Sequence, residues 1–394
     1  MYLDLHILQS FAPANLNRDD TGSPKECVFG GARRARISSQ SLKRAIREAF
    51  RDEAILPPER LATRTKQVVK LVADRLIERG WDETDARTAV GRALRSIGWN
   101  ISDEGESDAL ALVAHDQVEA LAIAIERHRE VLTATEPAAA AAAEPRRGRG
   151  RAKPQANVEV STEAKREFHA ALDLTGSIDL ALFGRFIADL PDKNIDGAAY
   201  VAHSLSTHAL DAETDYFTAV DELQMAAEQG AGMLGLQGFN ASLHYRYATL
   251  NLRALDERLG DPEAVRLALE AFVRASVAAI PSGKQHGHAA FNRPAFVLAV
   301  VRDDAPESLA NAFLRPVHVV AGDDLLRASI TALEAEWRAH RGMYGEEEIR
   351  CVAVASLATD GLGVLEPRTV SLEALITAVG EAAVSPTPQA QVVA

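Results

Sequence analysis

The 394-residue sequence predicts an α+β fold with a ferredoxin-like sheet, interrupted by a helical insertion. Three observations indicate this class. Residues 2–9 alternate apolar and polar side chains, as a strand does. A capped amphipathic helix follows Ser38. Near the other end of the chain, a helix at 262–280 lies between predicted strands at 242–252 and 295–301. Two strand–helix–strand units in this order are the ferredoxin-like pattern.

The first strand and the first helix are justified by their spacing. Leu3, Leu5 and Ile7 share one face of residues 2–9, which predicts a half-buried strand. Residues 11–31 contain Pro, Gly, Asn and Asp at short intervals and are predicted to form a loop. Apolar residues then recur at helical spacing from Ser38 to about residue 50. We assign 1–58 to the N-terminal part of the main domain.

Residues 59–175 are predicted to form the helical insertion. A low-complexity loop is expected at about 136–156, where six consecutive alanines precede a run of Arg and Gly. Such a composition cannot build a packed core. We expect residues 137–153 within this segment to be a linker or a disordered loop.

The remaining chain is predicted to complete the sheet. A strand is expected at 176–195 and a β-hairpin at 196–224, with an acidic turn at 211–215. Residues 225–394 form the C-terminal part of the main domain. Besides the elements already given, they are predicted to contain helices at 322–341 and 372–379 and a strand at 352–355.

Composition excludes several classes of protein. Cys27 and Cys351 are the only cysteines, too few for a disulfide framework or a zinc-ligand cluster, which fits a reducing cytoplasm. The first residues lack the pattern of a signal peptide, and the apolar runs are too short to cross a bilayer. We therefore expect a cytoplasmic protein with no membrane contact.

The charge distribution indicates a polyanion-binding patch on an acidic protein. The net charge is −13, yet residues 32–51 contain seven cations and one anion, a local charge of +6 that leaves −19 elsewhere. A concentrated basic patch can hold a polyanion while the acidic remainder resists nonspecific association. The alternative, an ordinary solvated charged face, stays open.

The helix after Ser38 is the strongest candidate within that patch. Lys43, Arg47 and Arg51 recur at intervals of four and form one stripe. The polar side chains at its start are Ser38, Ser39, Gln40 and Ser41. Free backbone N–H groups and the positive end of the helix dipole make such a start a phosphate site. Arg33 and Arg34 lie directly before it.

Aromatic residues offer a second route to nucleic acid. Tyr216 and Phe217, with Thr218, follow the predicted acidic turn and lie where a hairpin end can wedge between bases. Packing against the adjoining helix is the more common fate of such rings. Phe186 is equally ambiguous.

Motifs for catalysis and metal binding are weak. Asp19 and Asp20 are more typical of a turn with an Arg18 ion pair than of a metal site. His286 and His288 make a two-ligand pair, which alone is a poor metal signal. No metalloprotease, phosphate-loop or nucleophile-elbow motif occurs. We expect no catalytic residue, no metal and no cofactor.

Several stretches resemble one known family. They are LNRDD at 16–20, FGGARRARISSQSLKRA at 29–45, DYFTAVDEL at 215–223, YRYA at 245–248, PSGKQ at 281–285 and AAFN at 289–292. Together they resemble the backbone subunit of type I-E CRISPR Cascade, the CasC family. The similarity runs from about residue 2 to residue 292, and only the overall pattern continues beyond that.

The resemblance implies a fold shaped like a hand and a structural role. The palm would be RRM-like, the helical insertion would form the fingers, and the hairpin would be the thumb. Copies of the subunit would stack head to tail along a CRISPR RNA, beside other Cascade subunits. Each thumb would displace one base, leaving short segments of the guide to pair with target DNA. The subunit would have no catalytic role.

The resemblance also assigns residues. Phosphate contacts would fall on Arg18, Lys25, Ser38, Gln40, Lys43 and Arg47. The displaced base would be bracketed by Phe186 on one side and by Tyr216, Phe217 and Thr218 on the other. Phe186 replaces a common Met and can stack on the base. The matching stretch also contributes Lys284 as a candidate. Lysines that the pattern expects after Phe313 are absent from residues 315–320.

Two alternatives of another kind remain. One is a CRISPR RNA-processing endonuclease of RRM-like fold, with His6 or His203 as general base. The other is a regulatory RNA-binding module that works alone. A denaturing gel of RNA incubated with the protein distinguishes the endonuclease from a structural subunit. The mass of the protein with and without RNA distinguishes the lone RNA-binding module from a structural subunit.

Overall fold

The computed structural model describes residues 1–134, 160–219, 233–320, 324–358 and 362–384. The low-complexity loop expected at 136–156, with the segment 137–153 inside it, lies outside the described residues. So do residues 220–224 of the expected hairpin. The chain divides into two compact units, Met1–Leu56 with Ala199–Ala394, and Pro57–Ala198.

The secondary structure follows in chain order. The strands are β1 (Tyr2–Ala14), β2 (Glu26–Phe29), β3 (Ala32–Ile37), β4 (Ala62–Thr65), β5 (Ala111–Ala114), β6 (Ala199–Val201), β7 (Ser204–Ser206), β8 (Glu213–Ala219), β9 (Met233–Asn251), β10 (Phe296–Arg302) and β11 (Ile349–Ser356). The α-helices are α1 (Ser39–Asp52), α2 (Val68–Glu78), α3 (Glu83–Ser96), α4 (His115–Arg127), α5 (Arg129–Thr133), α6 (Thr162–Ala171), α7 (Ile178–Phe183), α8 (Leu252–Leu259), α9 (Pro262–Ala278), α10 (Gln285–His288), α11 (Leu325–Tyr344) and α12 (Leu372–Val384). Short 3₁₀ segments occupy Pro58–Arg60, Pro191–Lys193, Ala310–Phe313 and Gly363–Arg368.

The first unit is built on one antiparallel sheet. Its strands lie in the order β11-β10-β1-β9-β7-β3-β2, and β6 and β8 also pair with β9. Strand β1 is central, with Tyr2 opposite Arg302 of β10 on one side and opposite Asn251 of β9 on the other. The predicted α+β class is confirmed.

Strand β1 is buried on both faces, whereas its alternation predicted a half-buried strand. Leu3 and Leu5 are fully buried, and so are Asp4 and His6 on the other face. The polar face is satisfied internally: the Tyr247 hydroxyl donates to Asp4 Oδ1 at 2.8 Å, and His6 Nδ1 lies 2.9 Å from the Tyr245 hydroxyl. Polar residues in an alternating strand can therefore mark a buried hydrogen-bond network rather than a solvated face.

The second unit, Pro57–Ala198, is mostly helical, with a two-stranded sheet of β4 and β5. The predicted strand at 176–195 is wrong. Ile178–Phe183 forms a helix instead, and the segment belongs to this unit. Residues 178–182 are all buried, so their short apolar run has no exposed face to reveal its period.

The hairpin also differs from its prediction at 196–224. Strands β6 and β7 pair with β9 in the main sheet. The hairpin partner of β9 is β8, with a register from Glu213↔Phe239 to Ala219↔Met233. The expected acidic turn thus includes strand residues Glu213 and Asp215. Gly235 and Gly238 lie within β9.

Long periodic elements match their predictions closely. Helix α9 and strand β10 lie within about two residues of the predicted 262–280 and 295–301, and α11, α12 and β11 overlap the other predicted elements near the end of the chain. In the predicted loop at 11–31, β1 continues to Ala14 and β2 forms. Within the described ranges, no helix has the length and apolarity to cross a membrane.

Candidate nucleic-acid interface

Helix α1 carries cations on the face that the core leaves open. Its buried residues are Leu42, Ala45, Ile46, Ala49 and Phe50. With about 3.6 residues per turn, Lys43, Arg47 and Arg51 project away from that apolar face. Lys43 and Arg47 are half-buried and Arg51 is exposed. The helix therefore presents three cations in one stripe outside the core.

Lys43 is well placed to bind an anion. Across the described ranges, neither Lys43 nor the exposed Arg18 has a carboxylate partner. Partial burial lowers the pKa of Lys43 because part of the water around its ammonium is displaced. An ammonium that has lost water and has no counter-ion gains more from a phosphate than a fully solvated one does. Arg44, by contrast, donates to Glu48 at 2.7 Å.

The start of α1 is partly occupied by the protein itself. Ser38 is the N-cap, and its hydroxyl accepts from the Ser41 N–H at 3.3 Å. The Ser39 N–H donates to Nδ1 of His203 at 3.0 Å. Two of the polar groups expected to meet phosphate are thus engaged in holding the helix start in place. Gln40 is exposed.

Strand β3 sends its arginines in different directions. Arg33 is exposed and pairs with Glu26. Arg34, a predicted RNA contact, is fully buried, and its guanidinium donates to the carbonyl oxygens of Ser206 at 2.9 Å and Phe313 at 2.7 Å. The assignment of Arg34 to RNA is wrong, because a strand in a sheet turns alternate side chains into the protein.

Lys25 and Arg36 lie near the start of α1. The Lys25 N–H donates to the carbonyl of Asn17 at 2.8 Å, and the Arg36 N–H donates to the Lys25 carbonyl at 2.9 Å. Arg36 Nη1 is 3.3 Å from Nδ1 of His203. Burial lowers the pKa of His203, and the charges of Arg36 and Lys25 lower it further.

A polar groove of about 530 Å³ lies between loop 16–22, α1 and loop 281–283. The cations Arg18 and Arg44 line it, together with the acids Asp19, Asp20 and Glu48. Mixed charge of this kind does not by itself favour a polyanion. The phosphate-binding capacity of the region therefore depends on the stripe of α1 and on Arg18.

Asp19 forms the turn that its sequence predicted, but without the Arg18 ion pair. Its Oδ1 accepts from the Thr21 N–H at 2.9 Å, from the Thr21 hydroxyl at 2.7 Å and from the Ser23 N–H at 3.0 Å. These bonds, the Thr21 hydroxyl first, lower the pKa of Asp19. Arg18 is consequently left available to a ligand.

The hairpin places its two aromatic side chains on opposite faces, because Tyr216 and Phe217 are consecutive in β8. Tyr216 is 60% exposed and lies opposite Leu236, which is 73% exposed. Phe217 lies over Gly235, where a Cβ would be 2.4 Å from its ring. Thr218 is exposed. The ring of Phe217 thus packs on the ribbon at Gly235, whereas the ring of Tyr216 is open to solvent.

Two further candidates lie elsewhere. Phe186, in the helical unit just after α7, is 68% exposed. Lys284 is exposed in the first unit, and its Nζ donates to Gln237 Oε1 at 3.3 Å.

The histidines do not form a metal site. His6 is buried, and burial lowers its pKa to about 3. His286 is exposed, and Nε2 of His288 lies 2.7 Å from Nε2 of Gln237. In the part of the chain that the structure describes, no three His, Cys, Asp or Glu residues are grouped so that they could hold a metal ion.

Sequence reasoning missed two contacts that shape this surface. The contact from Ser39 to His203 joins residues 164 positions apart, and that from Gln237 to Lys284 spans 47 positions. No local pattern signals such pairs, since only the fold brings them together.

Comparisons with known proteins give one family and two solved structures to which the chain is similar. A family model described as CT1975-like protein matches residues 3–378. A solved structure described as "CRISPR RNA-guided surveillance complex, pre-nicking" contains a chain of 30% identity with a TM-score of 0.81, covering 97% of this chain and 100% of that chain. Another, described as "CRISPR RNA-guided surveillance complex", has 26% identity, a TM-score of 0.70 and coverage of 96% and 100%. No curated protein matches.

Proposed function

The chain belongs to the CT1975-like protein family, and we propose that it is a CRISPR RNA-binding subunit of a Cascade-type surveillance complex. The observation that carries the proposal is the similarity in fold and sequence, over nearly the whole chain, to subunits of two CRISPR RNA-guided surveillance complexes. The cations on the exposed face of α1 supply groups that can bind the phosphates of such an RNA.

RNA binding would begin with phosphates. Lys43, Arg47 and Arg51 recur every four residues of α1, a rise of about 6 Å at 1.5 Å per residue, and so offer a row of cations to successive phosphates. An exposed ion pair contributes roughly 0–1 kcal/mol, so affinity would come from several such contacts and from the release of counter-ions. Arg18 and Lys25 would extend the surface beyond the helix.

We further propose the subtype and the division into palm, fingers and thumb. The stretches at 29–45 and 281–285 favour the type I-E backbone subunit of the CasC family. The strand order β10-β1-β9-β6, with α1 after β1 and α9 after β9, supports an RRM-like palm, since a ferredoxin-like sheet has this order. The helical unit would be the fingers, and the hairpin of β8 and β9 the thumb.

The thumb would meet a displaced base. Tyr216 offers an open ring on a ribbon whose other face carries Phe217. Stacking on an aromatic side chain is worth about 1–3 kcal/mol per base. Thr218 would add to the contacts of the thumb with that nucleotide, and Phe186, in the helical unit, is a separate candidate for base stacking.

The assembly that we propose is a head-to-tail array of copies along one guide in the cytoplasm, beside other Cascade subunits. The guide would remain open between thumbs to pair with the target DNA strand in antiviral defence. The length of each free segment would follow from the spacing of the copies.

We propose that the subunit does not cut RNA. An endonuclease of this fold needs an accessible general base. His6 is buried beneath Tyr245, and Nδ1 of His203 accepts from the Ser39 N–H, so neither favours that alternative. A denaturing gel of labelled CRISPR RNA incubated with the protein should show full-length RNA only.

The mass of the protein with and without CRISPR RNA tests the proposal. Light scattering after size exclusion should give particles of several protein copies per RNA, whose copy number rises with RNA length. Replacing both Lys43 and Arg47 with Glu should abolish these particles. The matched double variant Lys165→Glu/Arg166→Glu, in α6, makes the same change of charge and should assemble normally. One copy per RNA at every length would support the regulatory module instead.

A further inference from the structure

The loop that carries Lys284 is strained at two points. Lys284 and Ala289 flank α10 with φ values of 54° and 49°, in the left-handed region that non-glycine residues avoid. Such conformations persist only where the surrounding structure enforces them, and they concentrate at functional sites. Neighbouring residues must therefore hold this loop in place.

Part of the constraint comes from within the loop. The backbone of Gly283 packs so closely on loop 16–22 that a Cβ there would lie 2.2 Å from the Leu16 carbonyl oxygen. The Gln285 amide donates to the Pro281 carbonyl at 3.2 Å and accepts from the Ala290 N–H at 2.8 Å. The backbone before and after α10 is thereby fixed.

The other part comes from Gln237 in β9. Its Oε1 accepts from the Lys284 ammonium at 3.3 Å, and its Nε2 lies 2.7 Å from Nε2 of His288. An ammonium can only donate, so the amide oxygen must face Lys284 and the amide nitrogen must donate to His288. One side chain thus contacts both ends of α10.

The register of β9 links this contact to the hairpin. Gly235, which supports the ring of Phe217, lies two residues before Gln237 and so shares its face. Phe239 lies on the same face, and its ring is 6.4 Å from that of His288. Lys284 is therefore held beside the face of the hairpin that carries Phe217.

We propose that Gln237 is a positioning residue, which holds the Lys284 ammonium beside Phe217 so that it meets the phosphate of the nucleotide that the hairpin contacts. The inference rests on the proposed function. Gln237 acts through Lys284: without it, a flexible side chain would have to be ordered when RNA binds.

A double-mutant cycle on the full-length protein tests this role. Gln237→Met keeps the size of the side chain and removes both hydrogen bonds, and Lys284→Met removes the charge. The probe is a fluorescein-labelled single-stranded RNA, titrated at several salt concentrations. Gln67→Met, an exposed glutamine in the helical unit, is the matched control.

We expect Gln237→Met to weaken binding about 3-fold and Lys284→Met about 5-fold, since each alters one exposed contact. Lys284→Met should also lower the salt slope by roughly 0.7, the value for one phosphate of a single strand. In the Lys284→Met background, Gln237→Met should have no further effect, and Gln67→Met should have none in either background.

The same loss from Gln237→Met in both backgrounds would overturn the positioning role, because a residue with a merely structural effect acts whether or not Lys284 is present. If RNA binding by the wild-type protein did not depend on salt, the proposed function itself would be contradicted, whatever the result for Gln237. His288→Ala, which frees the other end of the Gln237 amide, gives a second measurement and should weaken binding about 2-fold with an unchanged slope.

Discussion

Strand β3 and helix α1 are adjacent in the same basic segment, but they use their cations differently. In β3, Arg33 pairs with Glu26 and Arg34 is buried against backbone carbonyls. In α1, the half-buried Lys43 and Arg47 and the exposed Arg51 lie outside the apolar face that packs on the core. A local charge of +6 therefore overstates the charge that a ligand can reach.

The difference comes from geometry. A strand inside a sheet has two faces, and at least one of them meets the core, so alternate arginines are turned inward. A helix on a sheet surface buries only a stripe, and most of its circumference is open to cations. A count of charges along a segment shows the charge that a ligand can reach only after the period of the strand or helix has been used to separate buried side chains from exposed ones.

The largest effect that sharpens this comparison is expected from Arg34→Met. It should destabilise the protein by about 3 kcal/mol, because buried carbonyl oxygens such as those of Ser206 and Phe313 lose their donor. Urea unfolding measures this loss. RNA affinity of the folded variant should change less than 2-fold; a large fall in affinity with unchanged stability would show that Arg34 meets RNA.

Acid should affect the buried groups of the sheet and leave the helix unaffected. Burial lowers the pKa values of His6 and His244 to about 3, whereas a histidine in the unfolded chain titrates near 6.5. Below pH 6.5 the unfolded state therefore binds more protons. The contribution of the two neutral histidines to the free energy of unfolding is complete above that pH. It should fall by roughly 1.4 kcal/mol per pH unit for each histidine as the pH is lowered towards 3.

Unfolding free energies measured from pH 7 to pH 4 check this dependence. His6→Gln and His244→Gln should each flatten it. RNA affinity of the folded protein should stay constant from pH 6 to pH 8, because the residues of α1 include no histidine. A pH-independent stability would contradict the burial of neutral His6 and His244.

The smallest effect is expected from Arg33→Ala. Its ion pair with Glu26 is exposed, so stability should change by less than about 1 kcal/mol. If that pair withholds Arg33 from RNA, the salt slope should be unchanged in a binding titration. A slope lower by roughly 0.7 would show that Arg33 contacts one phosphate, and β3 would then bind RNA as α1 is proposed to do.

The sequence predicted best where one face of an element is polar. Helix α1 follows from the spacing of Leu42, Ile46 and Phe50, and α9 and β10 from equally regular patterns. It failed where burial is complete: residues 178–182 form a helix with no exposed face, and Asp4 and His6 are polar yet buried. Periodicity reports the contrast between core and solvent, and that contrast is absent at these positions.

The candidate site was predictable only in part, for a related reason. The stripe of Lys43 and Arg47 is local, so spacing reveals it. The burial of Arg34 depends on carbonyls at Ser206 and Phe313, more than 170 positions away. The close approach of Phe217 to Gly235 is likewise non-local, because it depends on the pairing of β8 with β9.

The salt dependence of RNA binding by the double variant Lys43→Ala/Arg47→Ala tests the central claim most directly. The slope of log K against log salt should fall by roughly 1.4 in magnitude, about 0.7 for each phosphate of a single strand that the variant no longer neutralises. Lys165→Ala/Arg166→Ala, the matched removal of two cations from α6, should leave the slope at the wild-type value. An unchanged slope in the α1 variant, or an equal fall in both variants, would contradict the claim that this helix face binds the phosphates of CRISPR RNA.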